Sequence, residues 1–257
     1  MEPKEHIERI RRDGGLMADA AARGGPDVQV PTCPGWTMRD LVIHTGGVHR
    51  WAATHVRERL AAPIDVDRPE DAAGPLPGDG ELVGWFRDGY AGLADTLERA
   101  DPAADFFAYF PAPSPLAFWA RRMAHETGMH RADAEAALGA VTPFPAEVAV
   151  DGIDELLLAF LARPRRRLRS AEPRALHLRA ADTGASWLVR IGPEAPAISR
   201  DDGAEGAEGA DTTVSGTASD LFLLVWNRRH AEGDGIEVRG DAGLLTLWRD
   251  AVRIRWA

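Results

Sequence analysis

The spacing of hydrophobic residues changes once along the chain. Up to about residue 163, apolar positions recur every three or four residues between Pro/Gly-rich loops, which is typical of amphipathic helices. After "RPRRRLRS" they alternate with polar ones, as in "ALHLRAAD" and "SWLVRIG", which favours half-buried strands. We therefore predict two domains, an all-α four-helix bundle over 1–163 and an α+β domain over 164–257.

The same spacing predicts the individual elements. Helices are expected over 5–23, 37–60, 80–100, from Ser114 through "MAHETGMHRADAEAALG", and over 147–162. The second part should hold strands at "ALHLRAAD", "SWLVRIG", "TTVSG" and "IEVRG", with helices over 217–229 and 241–249. "GAEGAEGA" is predicted to be a hairpin tip, and "RPRRRLRS" a solvated inter-domain connector.

Two predicted helices begin with recognisable caps. Thr37 and Asp40 have capping-box spacing, with Asp in place of the usual Glu, while Ser114 precedes Pro115 at the first helical position. The polar loop 61–80 and the segment 101–115 are expected to shape the mouth of a pocket.

Ionisable residues interrupt the apolar stripes of two helices. In the second helix, one face is formed by positions whose spacing alternates between three and four residues: Leu41, His44, Val48, Trp51 and His55. In the fourth, the corresponding positions are Trp119, Met123, Glu126, His130, Asp133 and Ala137. Both helices should thus place ionisable side chains in the middle of the bundle.

Burial of an unpaired carboxylate costs several kcal/mol, so these groups must pair or hold a cation. His44, Glu126 and His130 supply two nitrogens and one oxygen, the ligand set of an open catalytic zinc site. The i, i+4 spacing of Glu126 and His130 allows both to reach one ion. Ni²⁺, Fe²⁺ or Co²⁺ would also suit these ligands, and a buried structural ion pair is the alternative.

The remaining histidines fit this set less well. His49 and His125 are each five residues from a candidate ligand and lie off the shared face. His55 lies about 16 Å along its helix from His44, which is too far to share an ion. Asp133 could orient the His130 ring from behind, or else form a surface salt bridge with an arginine.

Composition limits the other classes of function. The net charge of −10 argues against nucleic-acid binding, and the N-terminus has no apolar segment typical of a signal peptide. No run of 18 apolar residues predicts a membrane span, so a cytoplasmic protein without membrane partners is expected. Cys33 is the only cysteine, so neither a disulfide within the chain nor a zinc site made of cysteines can form. The preference for Arg over Lys suggests a high-GC bacterial genome.

Three segments carry a family resemblance. "VPTCPGWTMRDLVIHTGGVHRWA" with "MAHETGMHRADAEAALG" resembles the mycothiol-dependent maleylpyruvate isomerases of actinobacteria, and the tail from "TVSGTASDLFLLVWNRR" resembles their C-terminal domain. The resemblance implies a DinB-like N-terminal bundle and a sterol-carrier-like C-terminal domain. It also implies a divalent metal, usually zinc, on His44, Glu126 and His130, which would activate the thiol of mycothiol. Arg228 and Arg229 are the expected carboxylate-binding residues.

Two functions follow as hypotheses. The first is a metal- and mycothiol-dependent isomerase or thiol S-transferase that acts on a small molecule. The second is a non-catalytic metal- or small-ligand-binding protein of the same fold. Three candidate protein ligands favour the first, because closed structural zinc sites more often have four.

Overall fold

A computed structural model describes residues 1–163, 168–200, 209–232 and 235–253. The chain divides into two compact units, the first comprising 1–142 and the second beginning at Pro143. The first contains four α-helices within these described residues: α1 (Pro3–Gly24), α2 (Met38–Arg57), α3 (Leu82–Arg99) and α4 (Pro115–Ala136). The all-α first part and the α+β second part are confirmed.

The predicted helix caps are formed. The Thr37 hydroxyl accepts the Asp40 amide at 3.3 Å, and the Asp40 carboxylate accepts the Thr37 amide at 2.8 Å. Ser114 Oγ likewise accepts the Ala117 amide at 3.1 Å, with Pro115 in the first helical turn. These local bonds fix where α2 and α4 begin, and hence the depth at which their later side chains lie.

Helix α4 lies at the centre of this unit, where it packs against α1 and α2. It is buried around its whole circumference, with charged side chains as well as apolar ones enclosed. The Arg131 guanidinium contacts Asp13 of α1 at 3.5 Å and Glu135 at 2.7 Å. Because buried charges are costly when alone, the Arg131–Asp13 contact favours one rotation of α4 relative to α1.

Glycines let the helices of this unit approach closely. A Cβ at position 46 of α2 would overlap the Trp85 indole of α3, and one at position 14 of α1 would lie 2.6 Å from Tyr90 Cγ. The absence of a side chain at these two positions therefore sets how closely α1 and α2 pack against α3.

The second unit begins with α5 (Ala146–Asp154), which continues as a π-helical segment, Glu155–Phe160. Its five strands within the described ranges are β1 (Arg174–Ala180), β2 (Ser186–Ile191), β3 (Ala197–Arg200), β4 (Thr212–Gly216) and β5 (Ile236–Gly240). They form one sheet in the order β3-β2-β1-β4-β5, with only the β1–β4 pair parallel among these described strands. Helices α6 (Ala218–Val225) and α7 (Gly243–Ala251) complete the unit.

The segment 143–160 packs within this second unit. The Phe144 amide donates to Ser219 Oγ at 3.0 Å, and Trp187 Nε1 donates to Asp154 Oδ1 at 2.7 Å. The helix predicted over 147–162 is thus present, but it belongs with the sheet rather than with α1–α4. The boundary predicted at 163/164 stays a prediction, because it adjoins residues 164–167, outside the described ranges.

Three details of the second unit differ from expectation. Helix α6 ends at Val225 rather than at 229, because Asn227 adopts a left-handed backbone with φ of 61° and the Arg228 amide bonds back to the Leu223 carbonyl at 2.8 Å. Strand β3 was not predicted, and β2 is buried on both faces near its start rather than half-buried. Most of "GAEGAEGA" and part of "RPRRRLRS" lie outside the described residues.

Within the described part of the chain, the structure has no helix that combines the length and apolarity needed to cross a membrane.

The close approach of α2 and α3 generates a stability prediction. The Gly46→Ala variant should lower the free energy of unfolding by about 1–3 kcal/mol, because the new methyl overlaps Trp85. Gly92→Ala is the matched control: this exposed position of α3 has open space around it, so alanine should stabilise the helix by roughly 0.5–1 kcal/mol. Chemical denaturation measures both, and equal effects of the two variants would contradict this packing.

Candidate metal centre

The three predicted ligands converge in the first unit. His44 comes from α2, and Glu126 and His130 come from successive turns of α4. Glu126 Oε1 lies 3.1 Å from His130 Nε2 and 3.7 Å from His44 Nε2, and one ligand atom from each residue lies within 4.8 Å of the other two. The structure therefore brings His44 next to two side chains that lie more than 80 positions later in the sequence.

These separations suit a single small ion. Two ligands about 2.0–2.1 Å from zinc at a tetrahedral angle lie about 3.3–3.4 Å from each other. The two measured distances fall on either side of that value. The residues thus fit a divalent ion with little movement of their side chains.

The surroundings of His130 supply an independent argument for a cation. Its Nδ1 lies 2.9 Å from Asp133 Oδ2, while its Nε2 faces Glu126 Oε1. A neutral imidazole carries one proton, so one of its two nitrogens would direct a lone pair at a carboxylate oxygen. A second proton or a metal ion must therefore lie between that nitrogen and the carboxylate it faces.

Arg122, which the sequence analysis did not identify, holds the other oxygen of Glu126. Its guanidinium donates to Glu126 Oε2 at 2.7 Å, and both side chains are buried. Burial alone would raise the pKa of Glu126, but hydrogen bonds from His130 and His44 and the charges of His130 and Arg122 hold that pKa well below its usual value. The i, i+4 spacing from Arg122 to Glu126 is the sequence signal that could have found it.

The centre is enclosed but not sealed. The Trp36 ring lies 5.0 Å from the His44 ring and 6.5 Å from the His130 ring, so the indole forms one wall. His44 is the most exposed of the three, with 14% of its side chain accessible, against 6% for Glu126. An exchangeable ligand could therefore approach beside His44.

Asp133 is buried rather than at the surface, and it contacts His130 of the centre and one residue of a neighbouring loop. Besides His130 Nδ1, its Oδ2 accepts a hydrogen bond from the Cys33 thiol at 3.4 Å. Cys33 lies in the loop "TCPGW" between α1 and α2, so this loop closes over the same turn of α4. The predicted orienting role of Asp133 for the His130 ring agrees with this geometry and remains a proposal.

The other histidines of the bundle have separate partners. His49 Nε2 bonds Thr127 Oγ1 at 2.8 Å; since that hydroxyl donates to the Met123 carbonyl at 2.7 Å, Nε2 carries the proton. His55 contacts the Trp51 carbonyl through Nδ1 and accepts the Ile64 amide through Nε2, at 2.8 and 3.1 Å. His55 thus anchors the loop 61–80, and neither residue joins the candidate centre.

Arg228 and Arg229 lie in the second unit, beyond the end of α6. Arg229 forms an ion pair with Asp220 at 2.6 Å, and Arg228 donates to the Trp226 carbonyl at 3.0 Å. They do not end the helix as the sequence suggested. Their carboxylate-binding role stays a prediction.

Comparison with known families places this centre in context. The profile of the mycothiol maleylpyruvate isomerase N-terminal domain matches residues 7–135, and that of the corresponding C-terminal domain matches residues 147–247. The chain belongs to the mycothiol maleylpyruvate isomerase family. The N-terminal match contains all three candidate ligands.

Solved structures agree with this family assignment. The crystal structures of the mycothiol-dependent maleylpyruvate isomerase and of a histidine-to-alanine mutant of it each superpose with a TM-score of 0.62, at 14% sequence identity and with 93% of both chains covered. At this identity the likeness establishes the family's fold over nearly the whole chain. No curated protein matches the sequence.

The environment of His49 generates a pH prediction. Burial lowers the pKa of His49 to about 3, with Glu126 only partly opposing the shift, whereas the unfolded chain has a histidine pKa of about 6.5. Its contribution to stability is therefore complete above pH 6.5 and is lost as pH falls towards 3. The loss should approach about 1.4 kcal/mol per pH unit.

The His49→Gln variant tests this contribution, because its amide keeps a donor for Thr127 but does not titrate. Denaturation of chelator-treated protein between pH 7 and pH 4 should show a shallower fall in the free energy of unfolding for the variant. Equal slopes for variant and wild type would contradict the assignment.

Proposed function

We propose that this protein is a divalent-metal- and mycothiol-dependent enzyme, with zinc held by His44, Glu126 and His130. The observation that carries the proposal is the convergence of two imidazole nitrogens and one carboxylate oxygen within 4.8 Å. Family membership supports mycothiol as the thiol, and a solved relative is a mycothiol-dependent maleylpyruvate isomerase. The proposed reaction is isomerisation or thiol S-transfer on a small molecule.

A divalent ion bound there would favour the thiolate form of a thiol, which is the nucleophilic form. Two neighbouring side chains, Arg122 and Asp133, orient the ligands for such an ion. Arg122 occupies Glu126 Oε2 and so directs Oε1 towards the two histidines. Asp133 accepts from His130 Nδ1, which leaves the Nε2 lone pair directed at the centre.

Access to the centre also supports a catalytic role. Three protein ligands leave a further coordination position, and the partial exposure of His44 gives a route for a thiol. A purely structural ion would be expected in a closed site with four protein ligands.

A second candidate function is small-ligand binding by the second unit. A cleft of about 380 Å³ there is lined mainly by side chains of α6, β5 and α7, with Asn227, Glu232 and Arg249 among its polar lining residues. Its principal apolar residues are Leu224, Ile236, Val238, Leu245 and Trp248. This is the observation that favours a non-catalytic binding protein.

A pair of histidine variants on one helix tests the catalytic proposal. With mycothiol and maleylpyruvate as first substrates, His44→Gln should lower turnover at least about 100-fold, because it removes a metal ligand. His49→Gln, five residues further along α2, changes a buried histidine outside the centre and should retain activity. Turnover should also disappear on chelation and return with added Zn²⁺.

Two results would contradict the proposal. One is mycothiol-dependent turnover that survives both chelation and the His44→Gln change. The other is the absence of any reaction of metal-loaded protein with mycothiol and a panel of unsaturated acids and electrophiles, which would favour the binding-protein alternative.

A further inference from the structure

His130 belongs to two groups of potential ligands, one at each ring nitrogen. On the Nε2 side are His44 and Glu126, and on the Nδ1 side are Asp133 and Cys33. The ligand atoms of Cys33, Asp133 and His130 lie within 4.8 Å of one another, like those of the first group. The second group differs in chemistry because it includes a thiol.

The sulfur–oxygen distance in the second group also suits an ion. With a metal–sulfur bond of about 2.3 Å and a metal–oxygen bond of about 2.0–2.2 Å, sulfur and oxygen ligands at a tetrahedral angle lie about 3.5–3.7 Å apart. Cys33 Sγ and Asp133 Oδ2 are 3.4 Å apart. Asp133 is fully buried and Cys33 half-buried, so the group is enclosed on the α4 side and reachable from the loop side.

We infer that Cys33, Asp133 and His130 Nδ1 form a second metal site, selective for divalent ions that favour thiolate, such as Zn²⁺, Co²⁺ and Cd²⁺. Binding replaces the thiol proton of Cys33 with a sulfur–metal bond and releases that proton to solvent. The carboxylate and thiolate together neutralise the ion's charge. The loop "TCPGW" then becomes tied to α4 through the metal.

The two sites compete for one imidazole. Neutral His130 has a single lone pair, so an ion on Nδ1 leaves the proton on Nε2, where Glu126 Oε1 accepts it at 3.1 Å. An ion at the Cys33 site therefore removes one ligand from the His44–Glu126–His130 centre. This loss of a ligand would inhibit the enzyme, a consequence that rests on the proposed function. The existence of the second site does not rest on it.

Cobalt spectroscopy distinguishes the two sites, because thiolate ligation adds an intense near-ultraviolet charge-transfer band that nitrogen and oxygen ligands lack. The Glu126→Gln variant disables the first site but keeps an oxygen for Arg122. Titrated with Co²⁺, it should bind about one ion per chain with this band. His44→Gln disables the first site by a different change and should give the same spectrum.

The matched control is Cys33→Ala, alone and combined with Glu126→Gln. The single variant should bind Co²⁺ without the thiolate band, and the double variant should lose Co²⁺ affinity at least about 10-fold relative to Glu126→Gln. Absence of the thiolate band in both Glu126→Gln and His44→Gln, with folding verified by circular dichroism, would overturn the second site. Failure of the first site would show separately, as the absence of Co²⁺ binding by Cys33→Ala.

Discussion

The burial of one carboxylate governs the centre of this protein. Glu126 lies in the middle of α4 with 5% of its surface exposed, and an isolated charge in that position would destabilise the fold by several kcal/mol. It remains ionised because Arg122 holds one oxygen and the two histidines face the other. A divalent ion would complete this compensation more fully than hydrogen bonds can, since the two imidazoles could then remain neutral.

The rest of the first unit holds that carboxylate and its partners in their relative positions. Capping bonds fix the starts of α2 and α4, and the Arg131–Asp13 contact favours one rotation of α4 against α1. Because Gly14 and Gly46 have no side chain, α1 and α2 can approach α3 closely. The position of His44 relative to Glu126 thus depends on contacts distributed over all four helices.

The candidate centre could be predicted from sequence because its ligands follow helical spacing. His44 falls on the predicted core-facing stripe of α2, and Glu126 and His130 lie one turn apart on α4. Local periodicity was therefore enough to predict that these side chains face the interior of the bundle. The contact between Cys33 and Asp133 could not be predicted, because it depends on how a loop folds over a helix a hundred residues away. The spacing also predicted a single apolar stripe on α4, whereas α4 is buried around its whole circumference.

In the second part of the chain, two differences from the expected elements have local causes. The helical pattern of α6 continues into "NRR", but Asn227 tolerates the left-handed backbone that ends the helix. Strand β3 is short and mostly exposed, so its sequence lacks the alternation that marked its neighbours. The segment 143–160 has the periodicity of a bundle helix, and only its contacts with β2 and α6 assign it to the second unit.

The most direct test of this account is the metal content of the protein after zinc reconstitution and exhaustive dialysis, measured by elemental analysis beside the His130→Ala variant. His130 is the only side chain in both proposed ligand groups, so its loss should abolish tight binding whichever group is occupied. We expect about one zinc ion per chain in wild type and almost none in the variant. Wild-type protein that retains no metal, or a variant that retains as much, would show that Glu126 and His130 are a buried ion pair and not a metal centre.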